Sequence, residues 1–439
     1  MKLNWFSPLP PARTDIANFT ARILPCLARR AAITLWTDAE SWDPSLEQSA
    51  TVRHFAGSDL PWPDVNFRDI TIYNIGNDPR FHGSFTQLLA RHRGYLIFHD
   101  TNVHELYRSW LVTRRKGRER YLALMAEQGG SEALDLARGQ FSGATTIDEV
   151  LERFPLTHLP LAESFGAVLH NPAEYERLRA ELHLPLTYLP LPYKSSDELC
   201  PSRTRTPRTA APDDPYRLVL FGFLHGANRR LTPFLESLAA FPRKKAYRLD
   251  IAGEVKSESE LNEQLDQLGL RDQVTYHGFV RDAELERLLH DADLAVNLRY
   301  PCRGESSGSQ LRIWDHSLPS LVSRTGWYAG ISAACAAFVR PEHEREDIHH
   351  HLDAFLNDPE SYFRQGEAGR AFLAEHHTAE SYVDGLLEFL ASTRPYRGRR
   401  FTAPFAHHIA KDVLSDLDHP AAREYYLDRV GRELAAWGS

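Results

Sequence analysis

The sequence is poor in the features that would mark several common protein classes. It has four cysteines in 439 residues, Cys26, Cys200, Cys302 and Cys335, with no CxxC pair. That spacing excludes a zinc ribbon or a disulfide framework and fits free thiols in a reducing cytoplasm. No apolar run approaches the roughly 18 residues of a membrane span. The opening MKLNWFSPLPPARTD has no apolar h-region, so no signal peptide is expected. Basic residues are not in excess: 51 Lys and Arg face 59 Asp and Glu, a formal charge of −8. A nucleic-acid binder needs a cationic face to displace counterions, and this balance argues against one. GxGxxG and the GK[ST] of a P-loop are both absent, and no internal repeat shows.

What is present is an ordinary globular composition, 42% hydrophobic and 25% charged, in a chain long enough for two domains. SSDELCPSRTRTPRTAAPDDP, residues 195–215, is polar and unpatterned and reads as a linker. On its C-terminal side strands and helices alternate. YRLVLFGFL, YRLDIAG, QVTYHGFV, DLAVNLRY and PSLVSRTG read as strands. LTPFLESLAAF, ESELNEQLDQLGL, AELERLLHDA and SQLRIWDHSL read as helices, the first capped by Thr232 with Pro233 in its first turn. On the N-terminal side AAITLWTD, DITIYNIG, GYLIFHD and SFGAVLHN are strands ending in polar residues. The alternation predicts two doubly wound α/β domains facing across a cleft. The expected boundaries are 1–194, 195–215 for the linker, 216–392, and a helical tail at 393–439 that packs back on the N-terminal domain. The tail's RPYRGRR cluster reads as a solvated face and leaves peripheral membrane contact open.

Two loops fall at the ligand-binding edge of the second sheet. In RGESSGSQ, Gly304 and Gly308 allow close turns, Ser306, Ser307 and Ser309 supply hydroxyls, and Ser309 is placed to cap the next helix. A small polar loop before a helix N-terminus suits a phosphate, and Glu305 suits the hydroxyls of a sugar beside it. A solvated turn whose serines cap a helix accounts for the same residues. In FGFLHGANRRL, Gly222 precedes Arg229 and Arg230, either of which is able to clamp a pyrophosphate. Arginines on a helix surface are the plainer reading.

The ordered series FGFLHGANRRLTPFLESL, YRLDIAGE, VTYHGFVRDAELERLLHDADLAVNLRYP, GESSGSQLRIWDHSLPSLVSRTGWYAG and GEAGRAFLAEHHTAESYVDGLLEFL resembles the C-terminal domain of retaining glycosyltransferases of family 4. WFSPLPPARTDIANFTARILPCLARRAAITLWTD, NIGNDPRFHGSF and LIFHDTNVHELY extend the resemblance into the first half. It implies the GT-B fold and transfer of a sugar from a nucleotide donor to a saccharide or glycan acceptor, in the cytoplasm and without a metal or cofactor. It implies that Arg229 meets the diphosphate and Glu305 the donor sugar. The amides of Ser307 to Ser309 meet the phosphate, Phe279 and Val280 lie by the base, and His99 lies at the reacting centre. We assign Gly222, Arg230, Ser306 and Gly308 to the donor site, and Asp15, His99 and Asp100 to the acceptor.

The chain departs from the family pattern at three positions. Ile313 stands where a second acid binds the ribose, and Phe223 where a basic residue is common. Asp15 replaces a glycine, and either binds the acceptor or crowds the phosphate. These departures keep two other readings open, a non-catalytic binding subunit in glycan assembly and a nucleotide-sugar epimerase. The HHH at 349–351 reads as solvated histidines at a helix start, and HDAD at 290–293 as caps at a helix–strand junction. His82 and His104 are open between an acceptor pocket and a structural role.

Overall fold

A computed structural model describes residues 1–56, 60, 65, 69–193, 205–211, 213–394 and 396. Among the described residues, thirteen strands form two separate sheets. The first holds β1 (Lys2–Phe6), β2 (Ala32–Thr37), β3 (Thr51–His54), β4 (Ile70–Ile75), β5 (Tyr95–Phe98), β6 (Gly166–Leu169) and β7 (Leu186–Tyr188). The second holds β8 (Tyr216–Phe221), β9 (Tyr247–Ala252), β10 (Val274–Tyr276), β11 (Leu294–Asn297), β12 (Ser320–Ser323) and β13 (Ala337–Val339). The orders are β3-β2-β1-β4-β5-β6-β7 and β10-β9-β8-β11-β12-β13. Neighbouring strands run parallel, as in Phe6 opposite both Trp36 and Tyr73, and Leu218 opposite Leu294. Each order reverses beside its first strand, so each sheet has a switch point, at β1/β4 and at β8/β11.

The strands are parallel because they are apolar on both faces. Every residue of β5, β6, β11 and β12 is buried, which requires helices above and below. Short polar caps start those helices just past the strand ends. Thr14 caps Asp15–Ala28, and Asp78 caps Pro79–Arg91 with proline in its first turn. Strand C-termini and helix N-termini therefore gather at one edge of each sheet, and the two edges face each other.

Two boundaries differ from the sequence reading. Arg205 lies inside the expected linker but is buried, donating to the carbonyls of Ala292, His316, Ser317 and Leu289. The second domain therefore begins before Tyr216; residues 195–204 lie outside the described residues. The helix Ala379–Ser392 was expected with the second domain but packs on the first. Tyr382 stands edge-on to Phe19 at 5.4 Å, and Thr393 donates to Tyr95 Oη at 2.9 Å. The chain thus crosses back before the expected tail, whose residues from 397 onward lie outside the described set. A helical insertion also separates β5 from β6: His104–Val112, Gly117–Ser142, Ile147–Arg153 and His158–Ala162. No helix among the described residues is long and apolar enough to cross a membrane.

Candidate active site

The facing edges enclose a cleft of about 1160 Å³. The loops after β1, β4 and β5 line one wall, and those after β8, β9, β10 and β11 line the other.

On the second domain's wall, Gly222 has φ +120, and a Cβ there would come within 3.0 Å of Arg229 Nη2. Glycine lets the Arg229 side chain fold back over the loop, where Nε donates to the Phe223 carbonyl at 3.1 Å. Burial, and then the neighbouring Arg299 cation, push Arg229 down to about 9, so it is still charged at neutral pH. It makes no ion pair among the described residues, which leaves a sheltered cation facing open space. Arg230 does not join it. Its backbone is left-handed, φ 53, and turns the side chain outward to both carboxylate oxygens of Glu344. Of the two arginines expected at the donor site, Arg229 lines the cleft and Arg230 does not.

Arg299, which the sequence reading did not single out, completes this wall. It follows β11 and donates to Glu305 Oε1 at 2.6 Å. The Arg303 amide donates to Glu305 Oε2 at 2.7 Å. Burial alone would raise the Glu305 carboxyl, but Arg299 and these hydrogen bonds outweigh it and hold it low and ionised. Arg299 Nε is buried with no hydrogen-bond partner among the described residues.

The helix Gly308–Asp315 is capped by Ser307, not by Ser309 as expected. Ser307 Oγ accepts from the Gln310 amide at 3.1 Å and from Tyr328 Oη at 2.6 Å. Its hydroxyl is turned inward, while Ser306, Gly308 and Ser309 line the cleft. Asp15 reaches this helix start from the opposite wall. A Cβ on Gly308 would lie 2.3 Å from Asp15 Oδ2, and Arg22 holds the other oxygen at 3.2 Å. Asp15 therefore lines the cleft against the start of this helix. Phe279 and Val280 line the cleft, with the Arg13 guanidinium 4.4 Å from the Phe279 ring. Ile313 is buried beside Val219 and Phe221, so this position points into the core.

On the first domain's wall, His99 Nε2 donates to Asn74 Oδ1 at 3.1 Å, and its ring packs on Phe19 and His170. Burial, then His170 and His82, hold it well below the usual histidine range, so it is neutral. Asp100 Oδ2 accepts from the Asn77 amide at 2.9 Å. Burial and then the Glu305 carboxylate push Asp100 up to about 6. His82 and His104 do not line the cleft. They bond to the Asn74 carbonyl and to Tyr121 Oη, which is a structural role.

The other histidine and aspartate clusters are also structural. The HHH run lies in the middle of the helix Glu344–Asn357, not at its start. His349 bonds to the Ser237 carbonyl and His351 to the Phe338 carbonyl. In HDAD, Asp293 is buried and accepts from the Arg217 amide and Arg208. No group of three or more metal-ligating side chains occurs among the described residues.

Asp100 sets a pH dependence. Its folded-state value lies above the unfolded value near 3.9. The folded state therefore binds more protons between about pH 4 and 6, and this group's contribution to stability falls as pH rises through that window. Asp100→Asn is expected to flatten this limb in thermal melts taken from pH 4 to 7. If Asp100 accepts a substrate hydroxyl as the carboxylate, wild-type kcat/KM rises through about pH 6 and the variant's does not.

Residues 226–372 match the family model described as glycosyl transferases group 1. Similar solved structures cover nearly the whole fold. Sucrose-phosphate synthase from Thermosynechococcus elongatus is 12% identical with a TM-score of 0.61, covering 89% of this chain and 98% of that one. Anabaena HepE, solved with UDP-glucose, is 13% identical with a TM-score of 0.56, covering 89% and 100%. WaaG, a glycosyltransferase involved in lipopolysaccharide biosynthesis, is 14% identical with a TM-score of 0.54, covering 88% and 99%. No curated protein sequence matches. The fold is GT-B, and the matched domain is that of a sugar-transferring enzyme.

Proposed function

We propose that this protein is a retaining, metal-independent glycosyltransferase of family 4, in the subgroup with a GESSGS-type donor loop. It moves a sugar from a nucleoside diphosphate to a saccharide or glycan acceptor. The observation that carries this reading is Arg229, a half-buried cation without an ion-pair partner among the described residues, beside an ionised Glu305 in the interdomain cleft. The group it lacks is an anion, and the group Glu305 suits is a hydroxyl donor. The complex of HepE with UDP-glucose supports a ligand that has both.

The chemistry follows from charge. As the bond from the anomeric carbon to phosphate oxygen breaks, negative charge grows on the diphosphate and positive charge on the sugar ring. Arg229 stabilises the first more in the transition state than in the ground state. Glu305 holds the sugar, and its carboxylate faces the developing cation. The acceptor hydroxyl attacks from the leaving-group face, so the configuration is kept and no carboxylate nucleophile is needed. The walls exclude water from this step. We place the enzyme in the cytoplasm, where the thiols of Cys26, Cys302 and Cys335, unpaired among the described residues, stay reduced.

The test is a thermal-shift screen with UDP, GDP, dTDP, ADP and their sugar conjugates. A ligand at 100 times its dissociation constant adds about 2.7 kcal/mol of stability. Proton NMR of the product then reads the anomer, and activity that survives EDTA tests metal independence. A β-linked product from an α-linked donor sinks the retaining claim.

Asp15 favours a second reading, a binding subunit that does no transfer, because its carboxylate stands where the phosphate is expected. Silence in the whole screen supports that reading. Under the first reading, Asp15→Asn removes a like charge and tightens nucleotide binding about fivefold, a modest effect because the side chain is half exposed. Calorimetric titration of both forms measures it.

A further inference from the structure

The donor loop is inserted into the opposite domain. The Asn102 amide donates to the Arg303 carbonyl at 3.2 Å, and Asn171 Nδ2 reaches the Glu305 carbonyl at 3.5 Å. Gly304 has φ +82, and a Cβ there would come within 1.8 Å of Thr101 Oγ1, so only glycine fits the contact. Arg303 Nη2 donates to Asp148 Oδ1 at 2.6 Å, and Nη1 lies 3.8 Å from Glu105 Oε2. Asp148 stands in the first turn of Ile147–Arg153, held by the Thr146–Glu149 capping box. That helix is tied to the cleft wall by Asn102 Nδ2, which donates to the Leu151 carbonyl at 2.7 Å.

One residue thus joins two events. The Arg303 side chain bonds the helical insertion of the first domain, while its backbone amide holds Glu305 Oε2 in the second. We propose that Arg303 is a positioning residue that couples domain closure to the orientation of Glu305, with Asp148 as its anchor. Opening the domains removes Asp148 and Asn102 together and releases the 302–305 loop. Glu305 then keeps Arg299 but loses the fixed amide on its second oxygen. The carboxylate is presented to the sugar only when the two walls meet, which restricts bond cleavage to the closed, water-poor cleft. The inference rests on the sugar-transfer reading for its kinetic part and on the interdomain geometry alone for its structural part.

The variants are Asp148→Asn, Arg303→Ala, their double, and Asp148→Glu as the conservative control. Asp148 does not line the cleft. For Asp148→Asn, kcat is expected to fall about tenfold, with donor KM moving less than threefold, as a small misplacement of a substrate-orienting group does. Arg303→Ala behaves alike, Asp148→Glu recovers most of kcat, and the double is no worse than the worse single variant. Small-angle X-ray scattering without donor shows a larger radius of gyration for Asp148→Asn and Arg303→Ala than for wild type. The coupling is overturned if the two single losses add in the double, or if donor KM rises while kcat holds. It is also overturned if Asp148→Asn matches wild type in both kcat and radius. Scattering requires no donor, so it judges the latch separately from the sugar-transfer reading.

Discussion

Arg229→Ala is expected to lower kcat/KM about 10²- to 10³-fold, the loss typical of removing one donor aimed at developing negative charge. The sign of its effect on folding is the distinguishing feature. Arg229 is half-buried and disfavoured by desolvation and by the Arg299 cation; Tyr328 and Glu305 offset this only in part, and it has no ion-pair partner among the described residues. Its removal should leave the ligand-free melting temperature unchanged or raise it, since the only side-chain hydrogen bond lost among the described residues is that to the Phe223 carbonyl. Nucleotide-induced stabilisation should disappear in the same variant. Melting curves with and without the nucleotide separate the two effects. A variant that melts early and still responds to nucleotide would mean that Arg229 is a structural residue and that the anion binds elsewhere.

Glu305→Ala should behave in the opposite way toward folding. The Arg299–Glu305 pair is buried, each side chain 10% exposed, and deleting the carboxylate strands the Arg299 cation. Breaking such a pair costs about 3–5 kcal/mol, against at most about 1 kcal/mol for an exposed one. The urea midpoint should fall, and activity should be lost. Glu305→Gln separates the two roles. Its amide oxygen still accepts from Arg299 and restores part of the stability. It no longer sets a negative charge against the sugar ring, so kcat stays low. Equal recovery of folding and turnover in Glu305→Gln would remove the electrostatic role.

Both predictions concern residues in loops that the sequence marks clearly. Strands covered on both faces are apolar along most of their length, so LAVN and the LVLF of YRLVLF stand out, and the loop after each strand lies at the ligand edge. Gly222, Arg229, Glu305 and the serines were legible for that reason, as were His99 and Asp100 after YLIF. Which neighbour does what was not legible. Arg229 and Arg230 are adjacent and chemically identical. Only the left-handed backbone at Arg230 sends one to Glu344 and leaves the other in the cleft. Ser307 and Ser309 are equally good caps by type, and the helix phase selected Ser307. Arg299 carried one faint signal, a charge directly after an apolar strand. Its meaning depends on Glu305, six residues on and across a turn.

The sequence by itself determined the α/β alternation, the two-domain division and the loops that form the site. These follow from local rules: apolar runs, caps and turn residues act within a few positions of one another. The tertiary structure decided what depends on distant partners. It placed Asp15 over Gly308, 293 positions apart in the numbering, and Arg303 against Asp148. It also returned the helix Ala379–Ser392 to the first domain, because Tyr382, Leu386 and Leu390 find their buried surface there. Contacts of that kind leave no periodic trace, since a side chain's charge or apolar area shows that it needs a partner but not which one the fold brings to it.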